Sequence, residues 1–242
     1  MEPSGNTVLI TGGGTGIGFA LAEALVHWGN DVVICGRRLE KLRAAKKRVP
    51  ALHIRVCDVS KRASRESLVN WVTSRFTSLN MLVNNAGIQR TVDFRKGARD
   101  LPRADAEIAT NLAAPIHLSA LLIPHLRKQQ RSAILNISSG LAFTPVADVP
   151  VYSATKAAVH ALSLSLRHQL RDTAVRVFEV APPIVATQLA GRRDRPDAGT
   201  MTAQEVAAGI LAALEHDTYE VALGTAANLH KGRDALFAAI NG

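Results

Sequence analysis

Apolar residues along this chain fall into two alternating patterns. Short unbroken runs rich in β-branched residues read as strands buried on both faces, and apolar positions recurring every three or four residues read as helices with one buried stripe. Thr7–Thr11 predicts a first strand, and Phe19–Trp28 an apolar helix ending at Gly29. Asp31–Gly36 predicts the second strand, followed by a basic amphipathic helix from Leu39 to Val49 that Pro50 stops. Leu52–Cys57 is the third strand, with a helix from about Ser64 to Thr77 behind it. Met81–Val83 is the fourth and runs into Asn84-Asn85-Ala86-Gly87. A long helix is expected within Pro102–Gln129, with Pro115 as a kink point. Ala133–Ile137 is the fifth strand, Val151–Arg171 the next long helix and Val175–Ala181 the sixth strand. Ala203–Glu215 is a last helix and Tyr219–Leu223 a seventh strand.

Such alternation predicts an α/β fold: a Rossmann-type, doubly wound parallel sheet of about seven strands with helices on both faces. No repeat, low-complexity stretch or linker divides the chain, so a single domain is expected over residues 1–242, with the tail from about 225 unassigned. In open parallel sheets, ligands sit beyond the carboxyl ends of the strands. That rule gathers scattered residues into one site. The run Gly12 to Gly18 follows the first strand, Arg37 the second, Asp58 the third and Asn84 to Gly87 the fourth. Ser138 and Ser139 follow the fifth, and Pro182 to Thr187 the sixth. Glycines between a strand and a helix permit a tight turn and close backbone approach, while the helix N-terminus offers unpaired N–H groups to a pyrophosphate.

Tyr152 and Lys156 stand four residues apart on a predicted helix, with Ser139 thirteen residues upstream of the tyrosine. Side chains at i and i+4 are surface neighbours, so a phenol lies beside an ammonium. A free phenol, with a pKa of about 10, is a poor acid or base at neutral pH. A close cation is expected to lower that value and tune the group for proton transfer at a carbonyl oxygen, to which Ser139 adds a hydrogen bond.

Composition narrows the classes. At 242 residues, 47% of them apolar, the chain can bury a sizeable core. Its apolar stretches are interrupted by His, Pro or charge, so no membrane-span-like segment is expected, and the first six residues lack the pattern of a signal peptide. Cys35 and Cys57 end strand-like runs, as buried free thiols of a reducing, cytoplasmic setting do. Neither they nor the eight histidines show metal-ligand spacing, so no metal is expected. The net charge of +9, from 29 basic and 20 acidic residues, is scattered in pairs such as Arg37-Arg38 and Arg127-Lys128. With aromatics at only 4%, stacking platforms for nucleic acid have little material, and none is expected as a partner.

These motifs together resemble the short-chain dehydrogenase/reductase family over roughly Thr7 to Leu223. Thr11-Gly-x-x-x-Gly16-x-Gly18, Asn84-Asn85-Ala86-Gly87, Ser139, Tyr152-x-x-x-Lys156 and the Pro182 loop occur in the family's order. The wording of Leu52 to Ser60, Asn84 to Gln89 and the pair Pro182-Pro183 is similar to a narrower group, the DltE-like oxidoreductases. The resemblance implies that Tyr152 exchanges a proton with the substrate oxygen, that Lys156 lowers the tyrosine pKa and binds the nicotinamide ribose, and that Ser139 holds the substrate oxygen. It implies a water relay anchored by Asn111. Gly12, Gly14, Thr15, Gly16 and Ile17 would cradle the pyrophosphate, with Gly18 allowing close helix–strand packing. Asp58 would accept from the adenine amine, Val59 would line that pocket, and Asn85, Ala86 and Gly87 would sit beside the adenosine ribose. Pro182, Ile184 and Thr187 would meet the nicotinamide, although Pro183 stands where the family has glycine.

NAD enzymes carry a ribose-binding acid after the second strand, whereas an arginine accommodates a 2′-phosphate. Here the sequence reads Gly36-Arg37-Arg38, so NADP(H) is expected over NAD(H). The expected activity is an NADP(H)-dependent interconversion of a small-molecule carbonyl and a secondary alcohol. A non-catalytic nucleotide sensor or scaffold on the same fold is the alternative, which the presence of Ser139, Tyr152 and Lys156 disfavours. Thr187 to Met201, with Gly191, Pro196 and Gly199 and the arginines Arg192, Arg193 and Arg195, reads as a loop over the site. Apolar excess around Glu107–Leu126 and Ala157–Leu170, the helices through which the family pairs, predicts a homodimer or homotetramer.

Overall fold

The computed structural model describes residues 1–2, 4–187, 189 and 199–242. Gly191, Arg192, Arg193, Arg195 and Pro196 lie outside the described residues. The strands are β1 (Thr7–Thr11), β2 (Asp31–Gly36), β3 (His53–Val56), β4 (Leu79–Asn84), β5 (Ser132–Ile137), β6 (Val175–Ala181) and β7 (Glu220–Ala222). They form one sheet in the order β3-β2-β1-β4-β5-β6-β7, every pairing parallel. The helices are α1 (Gly16–His27), α2 (Leu39–Arg48), α3 (Arg62–Arg75), α4 (Leu101–Ile108), α5 (Ala114–Leu126), α6 (Pro150–Gln169), α7 (Ala203–Glu215), α8 (Ala226–Gly232) and α9 (Phe237–Asn241).

Alternation along each strand sends side chains to two cores. Val8 and Ile10 pack with Leu21 and Leu25 of α1 and Ile210 and Leu214 of α7. Leu9 goes the other way, with Leu68 and Val72 of α3 and Leu118 and Leu122 of α5. Because both faces are covered, the strands carry unbroken apolar runs.

Four expectations change. The first helix begins at Gly16 rather than Phe19, because Thr15 is extended and the glycines that follow already belong to the helix. The expected long helix is divided by a π-turn at Ala109–Ala113, where the Ala114 N–H bonds the Ala109 carbonyl. Pro115 explains the break: it has no N–H for the Asn111 carbonyl four residues back. The tail is ordered into α8 and α9, and the Thr144 hydroxyl donates to the Leu229 and Arg233 carbonyls, each at 3.0 Å. Finally, Phe94–Leu126 is long and apolar enough to cross a membrane by length and composition. Leu118, Leu122 and Leu126 of this stretch are buried against the sheet, while Ile108, Ile116 and Leu121 stay exposed.

Candidate active site

At the carboxyl end of β1 the backbone turns at Gly12, whose φ of +67° favours glycine. A Cβ there would lie 2.9 Å from the Ala86 Cα, and one at Gly18 would lie 2.4 Å from Asn85 Nδ2 and 2.5 Å from the Gly12 carbonyl. Only glycine lets α1 approach β1 and β4 this closely. Thr15 caps α1 without a side-chain bond to the first turn, so its hydroxyl and the helix's leading N–H groups face the cleft together with Gly14, Gly16 and Ile17. The Thr11 hydroxyl donates to the Val83 carbonyl at 3.2 Å and accepts from the Asn85 and Ala86 N–H groups, both at 3.0 Å. Asn85 Nδ2 donates back to the Thr11 carbonyl at 2.9 Å, so this side chain braces the glycine loop.

Beyond β2, Arg37 and Arg38 are exposed and line the same cleft, with Lys41 of α2 as a third cation. Among the described residues neither guanidinium has a hydrogen bond or ion pair. A Cβ on Gly36 would meet nothing nearer than 3.7 Å, so no acidic side chain is excluded there by space. Asp58 Oδ1 accepts from the Ser60 N–H at 3.1 Å and the Ser60 hydroxyl at 2.7 Å, with Val59 buried beside it.

Beyond β4, Asn111 clamps the chain after Gly87. Its Oδ1 accepts from the Ile88 N–H at 2.9 Å, and its Nδ2 donates to the Ile88 carbonyl at 2.8 Å and to the Thr155 hydroxyl at 3.3 Å. A Cβ on Gly87 would lie 3.5 Å from Asn111 Oδ1 and 3.9 Å from Lys156 Nζ, so the two side chains flank one spot.

Ser139, Tyr152 and Lys156 are all buried at the floor of this cleft, whose volume is about 1030 Å³. Ser139 Oγ accepts from the Leu141 N–H at 3.2 Å, and the Ser139 hydroxyl neighbours the Tyr152 phenol. Lys156 Nζ sits 5.6 Å from the Tyr152 ring centroid and donates to the Ile137 carbonyl at 2.7 Å. The expected lowering of the tyrosine pKa does not appear. Burial pushes the phenol up to about 12; the neighbouring Ser139 hydroxyl pulls the other way and the Glu107 charge adds to the rise. Burial also brings the Lys156 ammonium down to about 8, opposed by the Glu179 charge. Desolvation outweighs the cation because the ammonium lies against the ring and is bonded elsewhere.

The Gly140 N–H donates to the Pro182 carbonyl at 3.0 Å, which ties the Ser139 turn to the loop after β6. The Ile184 carbonyl accepts from Met201 at 3.0 Å, while its own N–H has no partner among the described residues. Pro183 removes only its own donor, so the cleft keeps that N–H. Thr187 lines the cleft beside Gly16.

Sequence reasoning missed Glu107, buried with Oε2 unpartnered among the described residues and Oε1 accepting from the Arg90 N–H at 2.6 Å. Its spacing of four before Asn111 was the available signal. It also missed Leu229 and Ile240, which wall the cleft from the tail. The absence of metal-ligand spacing concealed His160 and His230, which the fold brings to Glu179 and Glu220.

Residues 6–198 match the family model for short chain dehydrogenases. Over 189 residues the chain is 54% identical to the uncharacterized oxidoreductase DltE of Bacillus subtilis, spanning 78% of this chain and 75% of that one. A short chain dehydrogenase from Burkholderia cenocepacia, solved in complex with NADP, superposes with a TM-score of 0.86 at 28% identity, covering 99% of both chains. A short chain dehydrogenase/reductase from Burkholderia phymatum in complex with NAD gives 0.84 at 22% identity over 99% of this chain and 93% of that one, a likeness of fold alone. Motif, sheet order and sequence likeness agree: the chain is an oxidoreductase of the short-chain dehydrogenase/reductase family and is DltE-like.

Proposed function

We propose that this protein interconverts a carbonyl and a secondary alcohol by direct hydride transfer with NADP(H), using Tyr152 as the acid/base. The observation that carries the reading is the pair of hydroxyls, Ser139 and Tyr152, buried beside Lys156 in the cleft that the glycine loop opens. The residues fit the nucleotide: a backbone cradle that a Cβ would fill, a helix start whose N-cap Thr15 makes no side-chain bond, and two guanidinium groups without a partner among the described residues where a 2′-phosphate would stand. The NADP complex of the Burkholderia cenocepacia relative supports the same choice.

When bound, NADP(H) supplies the hydride, or takes it up in the reverse direction. Ser139 and Tyr152 would each offer a hydroxyl to the substrate oxygen, one to hold it and one to move a proton at the phenol oxygen. With its pKa near 12 the phenol is protonated at neutral pH, the form a carbonyl reduction needs. Lys156, still largely an ammonium at neutral pH with a pKa of about 8, would steady the negative charge left on the phenol. Gly12, Gly14, Thr15, Gly16 and Ile17 would bind the pyrophosphate, Asp58, Val59, Ala86 and Gly87 the adenosine, and Pro182, Ile184 and Thr187 the nicotinamide. Asn111, whose side chain clamps Ile88, would anchor a water relay near Lys156.

The test is a panel of carbonyls and alcohols assayed with NADPH and NADP⁺, followed by Tyr152→Phe on any accepted substrate. Turnover should fall by at least about a hundredfold while NADPH affinity stays within a few-fold. Near wild-type turnover in the variant would exclude Tyr152 as the acid/base. Tight NADPH binding with no turnover across the panel would favour a sensor or scaffold.

A further inference from the structure

Glu179 on β6 and Glu220 on β7 are register partners in neighbouring parallel strands, so both side chains leave the sheet on one face. Like charges so placed repel each other. Glu179 is fully buried; one carboxylate oxygen lies 2.8 Å from His160 Nδ1, and the other has no hydrogen-bond partner among the described residues. Glu220 Oε1 lies 3.2 Å from His230 Nε2. One candidate ligand atom from each of His160, Glu179 and Glu220 falls within 4.8 Å of the other two. We propose that His160, Glu179 and Glu220 bind a divalent cation of the zinc class, with His230 as the fourth ligand.

The donor set selects the ion. Two imidazoles and two carboxylates suit a borderline cation in four-coordinate geometry, whereas magnesium and calcium prefer oxygen alone. A doubly charged ion balances the two carboxylates and occupies the free oxygen of Glu179, a buried acceptor otherwise costly to leave unpaired. Phe143 stands edge-on to both imidazoles, 4.9 Å from His160 and 4.4 Å from His230, and so fixes their orientation. Two cations compete: Arg167, whose guanidinium approaches Glu220 only at 3.8 Å and already serves the Val177 and Tyr219 carbonyls, and Lys156, which feels the Glu179 charge but is hydrogen-bonded to the Ile137 carbonyl. The site would be structural. His160 comes from α6, while His230 comes from α8, which also carries Leu229 of the cleft wall. A shared ion would fasten that wall to the helix bearing Tyr152 and Lys156.

The experiment is a Co²⁺ titration of the full, tag-free, chelator-treated chain, read by visible absorption and calorimetry and repeated with Zn²⁺. One equivalent should bind with the bands of four-coordinate Co²⁺, and Zn²⁺ should raise Tm. His160→Ala and Glu220→Gln should each weaken Co²⁺ binding by at least about tenfold, with circular dichroism verifying the fold; should one variant fail to fold, the other decides. His230→Ala should also weaken it, and unchanged affinity there would remove the four-ligand site. The proposal is overturned by no saturable binding, by wild-type affinity in His160→Ala or Glu220→Gln, or by a thiolate charge-transfer band assigning the ion to Cys35 and Cys57. None of these results bears on whether Tyr152 is the acid/base.

Discussion

Lys156 and Ile137 are joined by a 2.7 Å hydrogen bond between the ammonium and a strand-end carbonyl, both buried. The bond holds a charge that burial resists, which makes stability depend on pH. The unfolded chain keeps the lysine proton up to about 10.5, but the folded one only to about 8. Between these values the unfolded state binds more protons, so stability rises with pH across that window, by an amount on the order of 3 kcal/mol at most. Urea unfolding at intervals from pH 7.5 to 10 should show this rise in the wild type and a flatter profile in Lys156→Met. Parallel profiles would mean that the buried ammonium is not the source.

Cofactor choice follows from charge at the end of β2. Arg37 and Arg38 have no partners of their own among the described residues, and a bidentate guanidinium–phosphate pair is a strong, directional contact. Hydrogen bonds to a charged group contribute about 1.5–3 kcal/mol, roughly ten- to a hundredfold in affinity. NADPH should therefore bind more tightly than NADH, with the gap shrinking as salt rises. Gly36→Asp with Arg37→Ala should move preference toward NADH. Dissociation constants equal within about twofold in the wild type would show the arginines to be surface charge only.

Asn111 commits both ends of its amide to neighbours. Asn111→Ala would strip the partly buried Ile88 backbone of two partners, at a cost of about 1–3 kcal/mol for each group left unpaired. The variant should unfold at lower urea and lose turnover, since the spot shared with Lys156 loosens. Unaltered unfolding with lost turnover would move Asn111 from a positioning role to a direct chemical one.

Assembly is expected through the helices beside the site. Ile108, Ile116 and Leu121 on α4 and α5, and Leu164 on α6, are large apolar side chains left exposed. We expect light scattering at micromolar concentration to give the mass of two or four chains, and Leu164→Glu to lower it. A single-chain mass for the wild type would count against pairing.

Much of this molecule was legible because its informative features are local. The strands of the sheet are unbroken apolar runs, and the glycines, Tyr152 and Lys156 lie at spacings that a helix or turn converts directly into neighbours. What stayed hidden depends on distance along the chain. No periodicity tells that the Thr144 hydroxyl will meet the Leu229 carbonyl, or that Glu179 and Glu220 will face each other across two strands. The direction of the Tyr152 shift was misread for the same reason. The four-residue spacing announces a cation, but only the packed structure shows how dry the phenol is and that the ammonium is bonded to Ile137.

One hydroxyl has a mechanical consequence. Through Thr11, the end of β1 grips the carbonyl of Val83 and the N–H groups of Asn85 and Ala86, while Asn85 grips β1 in return. The glycine loop and the turn after β4 are thereby welded into a single stator, and thermal displacement of one must carry the other. Any breathing of the cleft would then fall to its other walls, where Ile184 and Thr187 hang from the loop after β6 and Leu229 from α8.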